Sequence, residues 1–537
     1  YLTVPEFTAQ TMRTMDTVVR LPRERGHLFN WYDTRTAKPL SPRFISTVDS
    51  GNFAASLVTL KNGCLQFLQR PLLSSALLEG YADHLCVLAE LRVVSKRVAQ
   101  SFEKHTEAPW LDRLSVSSEL PQISESCERP EDARWFARQT SDLIEQIKRA
   151  ASNYTPWLLA EYKSLYSDPA LQLTGSDDQI PLARLPDFIE RLRLKLEAAV
   201  VRGAQSQALT EKLLAQLPDA RRRCLHLIED LRRIASLCEQ LLREMDFSFL
   251  LDRRRKLLSI GYDVEAGKVH SGCYDLLASE ARVASFVAVA KGDVPQESWF
   301  LLSRSHVVVD GRPVLLSWTG TMFEYLMPGL WMRSYPDTLL ERSKEAAVQA
   351  QQAYAANKHV PWGISESAFA ETDEEGSYSY RAFGVPQLAL QQDEERLVVA
   401  PYATMLALAV APSAAIKNLR WMTRKGWFGA YGFYESADFT PNPHQKRRQG
   451  YVLVRSWMTH HQGMSLLSIA NFLKGGMVQN WFHRDARVQA TELLLQERPV
   501  GHVPTPPKNV RRSKATSRNG AGKSARVEPT VRPASKL

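Results

Sequence analysis

Pro361-Trp362-Gly363-Ile364-Ser365-Glu366-Ser367-Ala368-Phe369 sets an aromatic plate, a backbone pivot and one carboxylate within five residues. Trp362 offers a flat apolar face for a pyranose ring, and Gly363 permits close backbone approach. Glu366, between two serines, is placed to exchange a proton with a glycosidic oxygen. The same residues also read as a plain loop, with Trp362 capping the core and Glu366 capping a helix. Repetition separates the two readings. Aromatic residues with carboxylates, Asn or His recur at 27–33, 274–280, 318–325, 378–384, 432–438 and 455–463, with apolar helical stretches between them. Helical hairpins closed into a ring bring alternate loops to one end and make one cleft from distant segments. The fold expected is therefore all-α dominated, an (α/α) toroid with small β-hairpins and a helical insertion.

Length and charge bound the rest. The 537 residues, 44% hydrophobic and 23% charged, suffice for several domains or one large helical ring with additions. Nine Lys or Arg against one Glu between Lys508 and Lys536 carry about +8 of the formal +10. The body is nearly neutral, which argues against a nucleic-acid surface there. Cys64, Cys86, Cys127, Cys224, Cys238 and Cys273 lack CxxC spacing and read as reduced packing residues. No window approaches the ~18 unbroken apolar residues of a membrane span. The N-terminus does not read as a signal peptide, and a chain beginning at Tyr1 is expected to be a piece of a longer one.

Along the chain, residues 4–25 predict an amphipathic helix closed by Pro22. Asn30, Trp31, Tyr32 and Asp33 follow in a loop rich in groups that stack on rings or bond hydroxyls. Asp49, in Asp-Ser-Gly-Asn, reads more readily as a helix N-cap than as a catalyst. From 65 to 245 the composition turns to Leu, Arg, Glu and Gln in long amphipathic stripes, expected to be a helical insertion that supports something else, with prolines including Pro218 separating its helices. Hairpins are expected around 263–267 and at Asp310-Gly311. The stretch from Ser271 is expected to open a helix presenting Tyr274, Asp275 and Glu280 together, though a surface ion pair with Arg282 would read the same. Trp318, Glu324 and Tyr325 form a third acid-aromatic group, Tyr380 and Arg381 another, and Tyr434 with Glu435 a fourth acid-aromatic group. His460 and His461, beside Gln462, face different sides of a helix and cannot chelate one ion as an i, i+4 pair can; no metal and no cofactor is expected.

Taken together, Gly26 to Asp33, Ser46 to Asn52, Tyr274 to Arg282, Trp362 to Ala368, Gly432 to Glu435 and His460 to Ser465 resemble the central glucoamylase-like region of cyclic β-1,2-glucan synthases, in order, over residues 1 to about 500. The resemblance implies an (α/α)6 barrel formed by 1–64 and 246–500, with 65–245 as the insertion and 501–537 as a basic disordered tail. It implies a module that cuts linear β-1,2-glucan and joins its ends by transglycosylation. The glycosyltransferase and phosphorylase-like regions of the same synthase would be its partners, at the cytoplasmic face of a bacterial inner membrane. The family's two catalytic acids fall on Glu280 and Glu366, with their roles undivided. Glu324 and Glu435 are then binding or supporting acids.

Ring closure requires a glycosyl species that outlives attack by water until the far hydroxyl of the same chain arrives, and tethering makes that hydroxyl effectively concentrated. This favours net retention, with carboxylates ~5 Å apart, against roughly 6.5–9.5 Å for inversion by water. An inverting hydrolase of the same glucan and a non-catalytic glucan-holding scaffold are the alternatives.

Overall fold

Two helices open the chain, α1 (Val4–Arg20) and α2 (Thr47–Phe67). The computed structural model describes residues 2–103, 131–167, 179–199, 204–391, 396–441 and 450–498. Cys127 and the basic tail from 501 lie outside them. The cap of α2 differs from the sequence reading. Ser46 is the N-cap, its Oγ accepting from the Asp49 amide at 3.2 Å, so Asp49 sits inside the first helical turn with its carboxylate free of capping duty.

The described residues between 65 and 245 are mostly helical and brace α2 from outside. Among them lie α3 (Ser75–Glu90), α4 (Glu131–Tyr154), α5 (Leu185–Ala198) and α6 (Ala204–Glu244). Helix α3 packs on α4, both α4 and α5 pack on α6, and α6 lies along α1 and α2. Pro218 was expected to separate two helices, yet it sits inside α6. Leu213, Leu217, Leu231, Ile234, Leu241 and Leu242 of that helix are all buried. That continuous burial, at about 1.5–3 kcal/mol per large side chain, outweighs the ~3 kcal/mol an interior proline costs.

Further helices include α7 (Arg282–Lys291), α8 (Met322–Leu326), α9 (Leu339–Asn357), α10 (Pro401–Leu406), α11 (Pro412–Arg424), α12 (Thr459–Leu473), α13 (Met477–Phe482) and α14 (Ala486–Thr491). Their contacts form a closed circuit. Helix α2 packs on α7, α8 on α10, α10 on α12, α12 on α13, and α13 back on α2. The buried Arg282 guanidinium joins α7 to α8 by donating to the Glu324 and Tyr325 carbonyls at 3.3 and 2.8 Å. Outside this ring of six, α6 backs α2, α9 backs α8, α11 backs α10 and α14 backs α7. This is the (α/α)6 plan, with its outer layer partly supplied by the insertion. Helices α2 and α7 meet so closely that a Cβ on Gly51 would lie 2.5 Å from the Ala284 Cα.

Short strands decorate the ring. Strand β1 (Phe44–Ser46) joins the hairpin β2 (Gly261–Asp263) and β3 (Lys268–Val269), and β4 (His306–Val309) turns through Asp310-Gly311 into β5 (Arg312–Leu315), as the turn residues predict. Strand β6 (Ser367–Thr372) pairs with β7 (Tyr378–Arg381), β8 (Val398–Val399) with β11 (Ser436–Asp438) and through it β12 (Val452–Val454), and β9 (Phe428–Gly429) with β10 (Gly432–Phe433). A small second core of Ile364, Phe369, Val398, Val399, Met422, Trp427 and Ala437 lies beneath these last strands. The expected helix start at 271 is not formed. Residues 271–281 are irregular, tied to Ser303 through the Asp275 carbonyl, and the helix begins at Arg282.

Candidate active site

Glu366 stands immediately before β6, and the backbone that carries it is held from four sides. Gln351 bonds both the amide and the carbonyl of Ile364, at 2.9 and 2.7 Å. Gly363 has φ +121°, and a Cβ there would come within 2.9 Å of Thr404 Oγ1 and 3.1 Å of the Ala400 carbonyl, so the loop needs glycine. Ser365 Oγ accepts from the Phe323 amide at 3.1 Å. The Tyr402 hydroxyl, 2.9 Å from Ser365 Oγ, donates to the Glu366 carbonyl at 2.7 Å. The aromatic plate expected at Trp362 is a core residue instead, 9% exposed, with its carbonyl taken by Thr404 and Asn418. For that tryptophan the bland reading of the segment holds.

Glu280 lies near the end of the irregular segment, two residues before α7. Burial, then the charges of Glu366, Asp49 and Glu324, push its carboxyl well above the usual range. Burial likewise raises Glu366 to about 7, opposed by a hydrogen bond from Tyr380 and reinforced by Glu324 and Asp49. Tyr274 feels Glu280, Asp49 and Glu366 together, which with its burial keeps it a neutral phenol. Four groups from segments far apart in sequence, Asp49, Tyr274, Glu280 and Glu366, thus share one electrostatic neighbourhood, with Glu324 at its margin.

Glu324 is a structural acid. It closes a capping box with Thr321 and accepts from the amides of Trp318 and Thr319 and the Thr319 hydroxyl at 2.9 to 3.3 Å. Trp318, half-buried, is anchored by that amide bond. Tyr325, expected at the ligand, is 2% exposed with its hydroxyl on the Leu315 carbonyl at 2.6 Å, and belongs to the core.

Glu435 and His461 form a second buried centre. They are 2% and 1% exposed, and His461 Nδ1 lies 2.9 Å from the Glu435 carboxylate, which also accepts from the Ala368 amide at 3.2 Å. The other ring nitrogen, Nε2, is 3.4 Å from the Tyr380 hydroxyl, as is Nε2 of His460. Burial and the neighbouring His461 lower His460 to about 4, so it is neutral. Gln462 donates to the Phe433 carbonyl, and Tyr434 packs on Trp457 with centroids 5.0 Å apart. A cavity of about 170 Å³ lies among Tyr402, Tyr434, Glu435, His461 and Gln462.

The first loop takes a supporting role. Asn30 Oδ1 accepts from the Ser46 amide, steadying the cap of the helix that carries Asp49. Tyr32 donates to the Pro22 carbonyl, and Asp33 accepts the Arg35 and Thr36 amides in a turn. Trp31 is 66% exposed. Asp275 holds the Ser303 amide with its carbonyl, and Arg381 is exposed above Phe369. Sequence reasoning missed Tyr402, read only as part of an apolar helix; its neighbour Pro401 and the run to Val410 gave no polar signal. Among the described residues no group of three or more His, Cys, Asp or Glu is arranged for a metal ion.

Against known proteins, residues 273–486 match the family profile described as "Putative glucoamylase". The chain is also 35% identical over 493 residues to the cyclic β-(1,2)-glucan synthase NdvB of Rhizobium meliloti, covering 92% of this chain. The resemblance drawn from the motifs is borne out by this relative. The chain spans only 16% of the relative's length. Solved endo-β-1,2-glucanases overlap more loosely. That of Chitinophaga pinensis is 17% identical with TM-score 0.39, over 50% of this chain and 65% of its own. That of Talaromyces funiculosus is 12% identical with TM-score 0.38, over 94% and 96%. Among the described residues no helix is long and apolar enough to cross a membrane.

Proposed function

We propose that this chain is the ring-closing module of a cyclic β-1,2-glucan synthase, a glycosidase-type transferase that cleaves a linear β-1,2-glucan and joins the chain to itself. The observation that carries the reading is the unequal treatment of two neighbouring carboxyls. Glu280 is pushed strongly towards its protonated form by burial and by three surrounding acids, whereas Glu366 receives the Tyr380 hydrogen bond that favours ionisation. Paired carboxyls whose environments split their proton affinities are how one site supplies both an acid and a base.

In the step this supports, the ionised Glu366 attacks the anomeric carbon while Glu280 gives its proton to the departing glycosidic oxygen, leaving a glycosyl ester on Glu366 and a carboxylate at Glu280. The far hydroxyl of the same chain then attacks the anomeric carbon, its proton passes to Glu280, and Glu366 leaves as carboxylate. Atoms and charge balance, and the configuration is retained. Asp49 and Tyr274 border the pair and are suited to hold sugar hydroxyls. The synthase's glycosyltransferase and phosphorylase-like regions would supply and trim the chain, on the cytoplasmic face of the membrane.

Mass spectrometry of products from linear β-1,2-glucan, wild type beside Glu366→Gln, tests the reading. Rings from the wild type and none from the variant are expected. New reducing ends without rings would indicate an inverting hydrolase, and unchanged glucan in both a holding scaffold.

A further inference from the structure

Beside the Glu435–His461 centre the chain holds a group of aromatic rings at its surface. Strand β9 pairs with β10 so that Phe428 lies opposite Phe433 and Gly429 opposite Gly432. Successive residues of a strand face opposite ways, so one face of this hairpin carries two phenylalanines and the other only glycine. Tyr434 and Trp457 cover the glycine face. A Cβ on Gly429 would lie 2.7 Å from the Tyr434 hydroxyl and 3.0 Å from Trp457 Cζ2, and the Trp457 indole N–H donates to the Gly432 carbonyl at 3.3 Å. The two rings stand 5.0 Å apart, tilted by 38°. At the turn, Tyr431 meets Trp457 edge to face with centroids 5.2 Å apart, and is itself 75% exposed. The exposed Arg455 sets its guanidinium 5.8 Å from the centre of the Tyr434 ring.

Single exposed rings are ordinary, whereas rings fixed against one another in water mark a surface that something covers. Tyrosine and tryptophan offer rigid faces that lose little freedom when a ligand lies on them, and they suit the apolar C–H face of a pyranose ring. A guanidinium beside them supplies donors for hydroxyls. The group also belongs to the end of the ring where Glu366 stands. Tyr434 directly precedes Glu435, whose carboxylate accepts from the amide of Ala368, two residues beyond Glu366. The Glu435 amide in turn bonds the Ser456 carbonyl at 3.0 Å, so the segments bearing Tyr434 and Trp457 are tied together at that acid.

Resting on the proposed function, we propose that Tyr431, Tyr434, Trp457 and Arg455 form an outlying platform for β-1,2-linked glucose units, gripping the glucan some residues away from the bond that is cut. A chain long enough to reach both the catalytic pair and the platform is held at two points, and the second contact forms within an already bound chain. Short glucans gain nothing from it. The platform thereby selects chains long enough to close on themselves.

Calorimetric titration of Glu366→Gln with long and short linear β-1,2-glucans tests this, beside the same chain carrying Tyr431→Ala, Tyr431→Phe or Arg455→Gln as a second change. Tyr431→Ala is expected to weaken binding of the long glucan on the order of fivefold, and Tyr431→Phe, which keeps the ring, to restore most of it. Arg455→Gln is expected to weaken it by less. The loss shrinks as the glucan is shortened. With Glu366 intact, Tyr431→Ala is expected to raise KM for long glucan by a similar factor with kcat little changed, because the contact is the same before and during the cut. Thermal melting of each variant checks that the exposed position leaves the fold unaltered. Equal affinity for long glucan with and without Tyr431→Ala, or a loss independent of chain length, would overturn the platform. Failure of Glu366→Gln to bind glucan of any length would instead overturn the proposed function, so the two failures are distinct.

Discussion

The Tyr402 ring lies flat on the His461 imidazole, centroids 3.7 Å apart and planes 12° apart, while its hydroxyl donates to the Glu366 carbonyl at 2.7 Å. One phenol thereby ties the buried histidine to the backbone of the candidate nucleophile. Tyr402→Phe keeps the stack and drops the hydroxyl's bonds to Glu366 and Ser365, leaving the buried Ser365 hydroxyl short of a partner. The expected result is a loss of about 1–3 kcal/mol of stability and a several-fold fall in kcat, read by thermal melting and initial rates.

Activity is expected to follow a bell in pH. Glu366 must be ionised, and burial holds it up to about 7, so the acidic limb lies near neutrality and above the ordinary glutamate range. The alkaline limb reports Glu280 losing its proton, which burial and the surrounding acids hold well above the ordinary glutamate range. Initial rates of ring formation across pH check both limbs. A profile already flat at pH 5 contradicts the assignment.

The same burial has a cost in stability. A carboxyl whose folded pKa exceeds its unfolded value loses nothing while both states are protonated, and destabilises the fold as pH rises from the unfolded value through about 7. Glu366→Gln removes that loss. It is expected to melt with the wild type near pH 4 and above it at pH 8, by an amount on the order of 1–3 kcal/mol.

Gly51→Ala sets two effects against each other. Alanine favours a helix by up to about 1 kcal/mol, but its Cβ would stand 2.5 Å from the Ala284 Cα and Cβ, a backbone clash that cannot be relieved by a rotamer. Overpacking is expected to win, costing about 1–3 kcal/mol in denaturant melts. Because Asp49 rides on α2 and Glu280 adjoins α7, ring formation should fall as well.

Much of this was legible in the residues. Both hairpins and the helical character of the described residues between 65 and 245 follow from turn chemistry and periodicity. The gathering of Glu280 and Glu366 rests on positions 86 residues apart, and only the resemblance named the pair in advance. Composition failed where a residue type serves two ends. Trp362 and Tyr325 look like ligand plates and are core, because a bulky ring beside a polar loop fills a barrel wall as readily as it stacks on sugar. Glu324 looks like a chemical acid and caps a helix. Tyr402 gave no sign at all, since a tyrosine in an apolar run shows its polar end only when Glu366 and His461 are brought to it from elsewhere.

The ring is fastened where its last inner helix, Met477–Phe482, lies on its first, Thr47–Phe67. A belt of this kind is only as tight as its buckle. Trp481 supplies the catch, its ring against Gly63 and its indole N–H on Gln66. Loosening that one fastening, with every acid left in place, would let the whole girdle slacken and draw Asp49 away from the two glutamates it faces.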